Sequence, residues 1–165
     1  MVEASLSGMR ATRPDELYDE DFFAWTRSQA RELRRFARSR PNLALDVEHI
    51  AEEIADLGTE RRDSVRSWTA RIIEHLLLLE HSPAHGPRRG WIDEIVNFRS
   101  EVERRLSRTL ERDLKRRLPL LYEEARRNLQ RKLGRHGEAD IAARLPEACP
   151  YDLGQVLGDF WPPSA

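Results

Sequence analysis

The stretch VEHIAEEIADLGTERR, residues 47–62, places one histidine among five carboxylates. Read as a helix at about 100° per residue, His49, Glu53, Asp56, Glu60 and Asp63 fall on one face. Such a face could gather oxygen ligands and an imidazole around a metal ion, or run acid/base chemistry. Carboxylate bundles that hold two metal ions draw a Glu-x-x-His pair from each of two helices, pointing inward. This chain contains no Glu-x-x-His; its nearest analogue, Asp46-x-x-His49, stands at a helix start, where capping explains the aspartate. The carboxylate face also lies opposite the apolar stripe of the same helix, and Glu74 and His81 continue it. A solvated face is therefore expected, with no metal and no cofactor.

Two residues stand apart from that face. His75 sits by helical phase at the edge of the apolar stripe, where a hydrogen-bonded core histidine is expected. Glu52 points about 60° to one side of the His49 direction, within reach of a neighbouring helix. A carboxylate turned inward needs a partner, and the fork of Arg99 can hold one with two hydrogen bonds. Glu52, Glu53, His75 and Arg99 thus form the candidate network. Cys149, in the turn CPY, could act as a nucleophile only beside a base; a structural role is expected.

The elements that must position these residues read as helices throughout. Residues 1–14 read as a loose arm and residues 15–165 as one helical domain. Asp15 opens a first helix to about Arg38, with Tyr18, Phe22, Trp25, Leu33 and Phe36 at helical spacing. Asp46 caps a second, whose stripe (Val47, Ile50, Ile54, Leu57, Val65, Trp68, Ile72, Leu76, Leu79) stays in phase across Gly58 to His81. Gly58 marks a bend or a close helix contact. Residues 82–90, SPAHGPRRG, form a connector. A third helix starts at Trp91, Pro119 interrupts it or begins a fourth, and Gly134 caps the end near Leu133. A short helix near Asp152–Leu157 and an aromatic anchor close the chain. The architecture expected is all-α: an up-and-down bundle of about four main helices with a docked C-terminal tail.

Composition narrows the function classes. The chain has 165 residues, a formal net charge of −1 and 35% charged residues. That suits a heavily charged globular domain with an ordinary core. Of 28 basic residues only Lys115 and Lys132 are lysines, so the chain is arginine-rich. A single cysteine excludes an internal disulfide and fits a reducing compartment. No apolar run reaches the ~20 residues of a membrane span, and the N-terminal MVEASLSGMRATRP lacks the core of a signal peptide. There is no phosphate loop, nucleophile elbow or His-Glu-x-x-His.

Several blocks together resemble a bacterial family, domain of unknown function number 29. They are LYDEDFFAWTRSQARELR, LDVEHIAEEIADLGTERRDSVRSW, the HLL of the second helix, Trp91 and Arg99, YEEAR, and LPEACPYDLGQVLGDFWP. Where members often carry lysine and an aromatic after HLL, this chain has Leu78, Leu79 and Glu80. The resemblance implies an all-helical domain in a bacterial cytoplasm and implies no activity.

Charge is segregated. Residues 45–60 carry six acids and no Lys or Arg, whereas residues 99–135 carry thirteen Lys and Arg against six acids. The reading favoured is a protein-interaction or structural module without catalysis, binding a protein partner or itself. The alternatives are a nucleic-acid-binding protein using the basic segment 99–135, and a metal-dependent or acid/base enzyme centred on Glu52, Glu53 and His75.

Overall fold

The computed structural model describes residues 14–40 and 44–163. The expected arm therefore lies outside the described residues, except for Pro14, which opens the first helix. The described residues form seven helices: α1 Pro14–Glu20, α2 Phe22–Ser39, α3 Val47–His81, α4 Arg88–Glu103, α5 Arg108–Arg135, α6 Ala139–Arg144 and α7 Leu153–Leu157. The described residues contain no strand, and the chain is all-α. It divides into two compact units, one ending at Gly58 and one beginning at Thr59.

The first unit holds α1, α2 and the opening of α3. The single helix expected over 15–38 is broken at Asp21, whose carboxylate accepts from Ala24 N at 3.0 Å and so caps α2. That bond supplies a first-turn amide that has no acceptor within its own helix. Thr26, Ala30, Val47, Ala51 and Gly58 are buried. A Cβ on Gly58 would lie 2.1 Å from Thr26 Oγ1, so glycine is there to let two helices touch. With Thr26 against Gly58, and Arg34 Nε 2.7 Å from Glu48 Oε1, α2 and the start of α3 run antiparallel.

The second unit packs α4–α7 with the rest of α3. Residues 72–77 of α3 are all buried, so this stretch is enclosed on every side rather than along one stripe, Glu74 and His75 included. Ile95 and Val102 come from α4; Leu110, Leu114, Leu121, Tyr122, Ala125, Leu129 and Leu133 come from α5.

Three further helix limits differ from expectation. The connector ends sooner, because α4 begins at Arg88 and includes Gly90. The break expected at Pro119 occurs instead at residues 104–107. There Leu106 N reaches back to Val102 O, the Arg61 side chain donates to the carbonyls of Arg104 and Arg105, and Ser107 caps α5 by accepting from Leu110 N. Pro119 lies inside α5 on an exposed position. A proline in a helix interior costs about 3 kcal/mol, which the leucine stripe on both sides of it offsets, and water can reach the freed Lys115 carbonyl. Finally, the helix ends at Gly137, not Gly134: Gly137 has φ +77°, Glu138 N bonds Leu133 O at 2.9 Å, and Gly137 N reaches Gly134 O. This paired closure needs the left-handed conformation that glycine adopts without strain. The α6 helix that follows was not expected.

The tail docks as expected. A capping box between Asp152 and Gln155 starts α7, and Tyr151, Leu153, Val156 and Pro162 are buried.

Candidate functional site

Four residues were expected to form a network, and the structure gives them different surroundings. Glu52 and Glu53 lie on α3 in the first unit, and both are exposed. The inward carboxylate read from Glu52 is therefore corrected: its phase turns it past the helix contact and into water, where it needs no ionic partner.

Arg99, on α4, is not held for a carboxylate. Its Nε donates to Val156 O at 3.0 Å, and one terminal nitrogen donates to Gln155 O at 3.0 Å and Phe160 O at 2.9 Å. The guanidinium also lies 4.9 Å from the Trp161 ring centroid. The fork thus collects two carbonyls that the last turn of α7 leaves without helical partners, and that of Phe160 just beyond it. Burial lowers the Arg99 pKa, with Asp159 opposing.

His75 is buried, its ring stacked near Phe98 at 6.2 Å between centroids. Glu94 Oε2 lies 2.5 Å from Nε2, a close carboxylate contact outside ideal hydrogen-bond alignment. The histidine is thus in the core, with Glu94 as its polar neighbour. Burial pushes its pKa down; Glu94 and Glu74 pull it up, and Arg71 and Lys132 push it further down. The resulting preference for the neutral ring follows from desolvation.

Glu74 overturns the solvated reading of its position. It is 2% exposed and lies 2.5 Å from Lys132 Nζ of α5 and 3.7 Å from an Arg71 nitrogen. The signal was in the sequence: IIEHLLLL leaves no wet side for a glutamate, so one placed there must find a cation.

Beneath the tail, Tyr151 Oη donates to Glu80 Oε2 at 2.5 Å, Tyr122 Oη donates to Pro146 O at 2.6 Å, and the Cys149 thiol donates to Tyr151 O at 3.2 Å. Burial, then the Glu80 bond, drives the Tyr151 hydroxyl well above its ordinary range; burial pushes Tyr122 up to about 12 and raises the Cys149 thiol. All three groups stay protonated near neutrality. They are hydrogen-bond donors that pin the tail, and the burial that raises the Cys149 pKa disfavours its thiolate.

What remains is a surface. Phe36, Ile50 and Leu57 of the first unit are 42%, 41% and 52% exposed. Measured from the α2–α3 contact, Phe36 lies about 80° from Thr26, and Ile50 and Leu57 about 80–100° from Gly58 in the same rotational sense. In antiparallel helices the same sense puts them on the same side of the hairpin. Trp25, at about 100°, joins them, and stacks on Phe22 with Tyr18 edge-on. Arg34 and Glu48 rotate the other way and pair on the opposite side. The hairpin therefore has one charge-paired side and one apolar side open to solvent. Sequence reading placed Ile50 and Leu57 in the core stripe, because phase alone cannot say how wide a strip the neighbouring helix covers.

Among the described residues no group of three or more His, Cys, Asp or Glu side chains is placed to hold a metal ion, and no helix is long and apolar enough to cross a membrane. The family model described as domain of unknown function DUF29 matches residues 17–161. The chain is similar to a solved structure, the crystal structure at 1.45 Å of an alpha-helical protein of unknown function from Rhodospirillum rubrum ATCC 11170. The two share 26% identity over 86% of this chain and 89% of that one, with a TM-score of 0.74. No curated protein matches.

Proposed function

Since the chain belongs to the DUF29 family, for which no activity is described, we propose its role from its own surfaces: it is a helical interaction module, and the first partner of its N-terminal hairpin is a second copy of itself. The observation that carries this reading is the open apolar side formed by Trp25, Phe36, Ile50 and Leu57. Contiguous exposed apolar area on a soluble chain marks a binding surface more often than a catalytic one. A two-helix hairpin with one uncovered side is half of a four-helix arrangement. Twofold pairing lays the same strip against itself without requiring any other surface. The opposite side, with its Arg34–Glu48 pair, stays hydrated in such a dimer. The single thiol, hydrogen-bonded as a structural group, suits a reducing bacterial cytoplasm.

Sedimentation equilibrium over a wide concentration range tests the reading. The wild-type chain should show a monomer–dimer equilibrium, and Leu57→Glu should remain a monomer with an unchanged helical spectrum. A wild-type chain that is monomeric at every concentration contradicts the proposal, as does a Leu57→Glu variant that dimerises equally well.

A further inference from the structure

The second unit contains a cleft between α3 and α5 that lies outside the interaction reading. Its volume is about 440 Å³, and Arg71, Arg131, Lys132 and Arg135 line it against two carboxylates, Glu74 and Glu124. The floor is built rather than incidental. Glu74, almost completely buried, fixes Lys132 Nζ at 2.5 Å and draws Arg71 to 3.7 Å, so two of the four cations are anchored from beneath.

The other two are not held by acids, unlike Arg66 with Asp113 at 2.7 Å, Arg105 with Glu101 at 2.5 Å or Lys115 with Glu111 at 2.6 Å. Arg131 instead donates to Asn128 Oδ1, a neutral acceptor, and among the described residues neither Arg131 nor Arg135 pairs with a carboxylate. A guanidinium presents five N–H donors in a fixed fork, so most of those of Arg131 and Arg135 are left for something else. The adjoining groove, which shares Asn128 and Arg131, adds Arg127 and extends the cationic wall. Like charges crowded around a recess repel one another until an anion enters, and the walls concentrate their field there.

We propose that this cleft binds a small phosphorylated molecule, its phosphate held between Arg131 and Arg135 and facing the anchored Lys132. The four cations exceed the two carboxylates by two, which matches a phosphate dianion, and the guanidinium fork fits phosphate oxygens in pairs. The four cations converge on one recess of limited volume, which favours a small molecule over a polymer. A nucleic acid tracking α5 would engage its first half as well, where Lys115 and Arg116 already have the acids Glu111 and Asp113 beside them.

The test is calorimetric titration of the full chain with inorganic phosphate and with pyrophosphate at low salt, using two double variants. Arg131→Gln/Arg135→Gln removes the proposed clamp. Arg112→Gln/Arg116→Gln removes the same charge from exposed positions on the same helix. The expected result is saturable one-site binding that weakens about tenfold or more in the first variant, as loss of charge-assisted bonds implies. The second should stay within about twofold, because Arg112 and Arg116 do not line the cleft and their charges are screened at a distance. Both variants should melt with the wild type, since the replaced side chains are exposed. Absence of saturable binding overturns the proposal, and so does equal weakening in both variants. A single-stranded oligonucleotide serves as the third arm. If it binds, is weakened alike by both double variants and is not displaced by pyrophosphate, the basic helix is a polyanion surface and the cleft assignment fails.

Discussion

Replacing Arg99 with alanine should release the C-terminal tail, and the structure sets the size of the effect. The guanidinium makes three hydrogen bonds to the carbonyls of Gln155, Val156 and Phe160 and lies against Trp161. A hydrogen bond to a charged group contributes about 1.5–3 kcal/mol, and a carbonyl stripped of its partner costs about 1–3 kcal/mol when it stays dry. Arg99 is half-buried, so water can replace part of the loss. The net should be about 2–3 kcal/mol, well short of the sum of the parts. For a chain of this length about 1 kcal/mol moves Tm by roughly 2–4 °C, so thermal denaturation should show a fall of about 4–12 °C. Hydrogen exchange should quicken first at the amides of α7, ahead of α5. Arg99→Lys should recover little, because an ammonium cannot span three carbonyls from one side. A melting point within about 1 °C of wild type, with unchanged exchange in α7, would refute the clamp.

Three further outcomes follow from the packing. Gly58→Ala should destabilise the first unit by about 1–3 kcal/mol despite alanine's better helix propensity, because its Cβ meets Thr26 Oγ1; Thr26→Ala in the same chain should restore part of the loss in chemical denaturation. His75, with Glu94, Glu74, Arg71 and Lys132 around it, has a folded pKa below its ordinary 6.5. The folded chain thus binds fewer protons than the unfolded one, and stability present above that value is lost as pH falls below it. His75→Gln should flatten the stability profile in that window, and identical slopes for both proteins would count against a neutral buried imidazole. Lys132→Met should destabilise by somewhat less than the about 3–5 kcal/mol of a fully buried broken pair, since Lys132 is half-exposed while Glu74 is not; adding Glu74→Gln should recover most of it, as urea denaturation of both variants would show.

Particular residues explain what could be read in advance. α3 was legible because its apolar residues hold one phase over 35 residues, and Asp152 with Gln155 announced α7. The break before Ser107 was not, because Val102, Leu106 and Leu110 keep helical spacing straight through it. The choice between Gly134 and Gly137 depends on which glycine takes a positive φ, and only the backbone reveals that. Glu52 and Glu74 were exchanged for one reason. Phase gives the direction of a side chain but not whether anything packs there: no helix covers Glu52, whereas Glu74 lies in a stretch enclosed on all sides. Arg99 was read as a fork for a carboxylate and holds carbonyls instead, because backbone carbonyls at the end of a short helix leave no mark in a sequence. The open side of the hairpin was hidden within a stripe that looked like core.

The central claim is that this open side is where two copies meet. Its most direct measurement is the dipolar coupling between spin labels on one residue beside that side. Glu53 serves, exposed at its edge; Cys149→Ser leaves an introduced Glu53→Cys as the sole thiol. The account predicts a defined inter-label distance that loses amplitude when unlabelled wild-type chain is mixed in, and that is absent when Leu57→Glu is added. A labelled chain that shows no dipolar coupling at high concentration, or a coupling that survives Leu57→Glu, would contradict it.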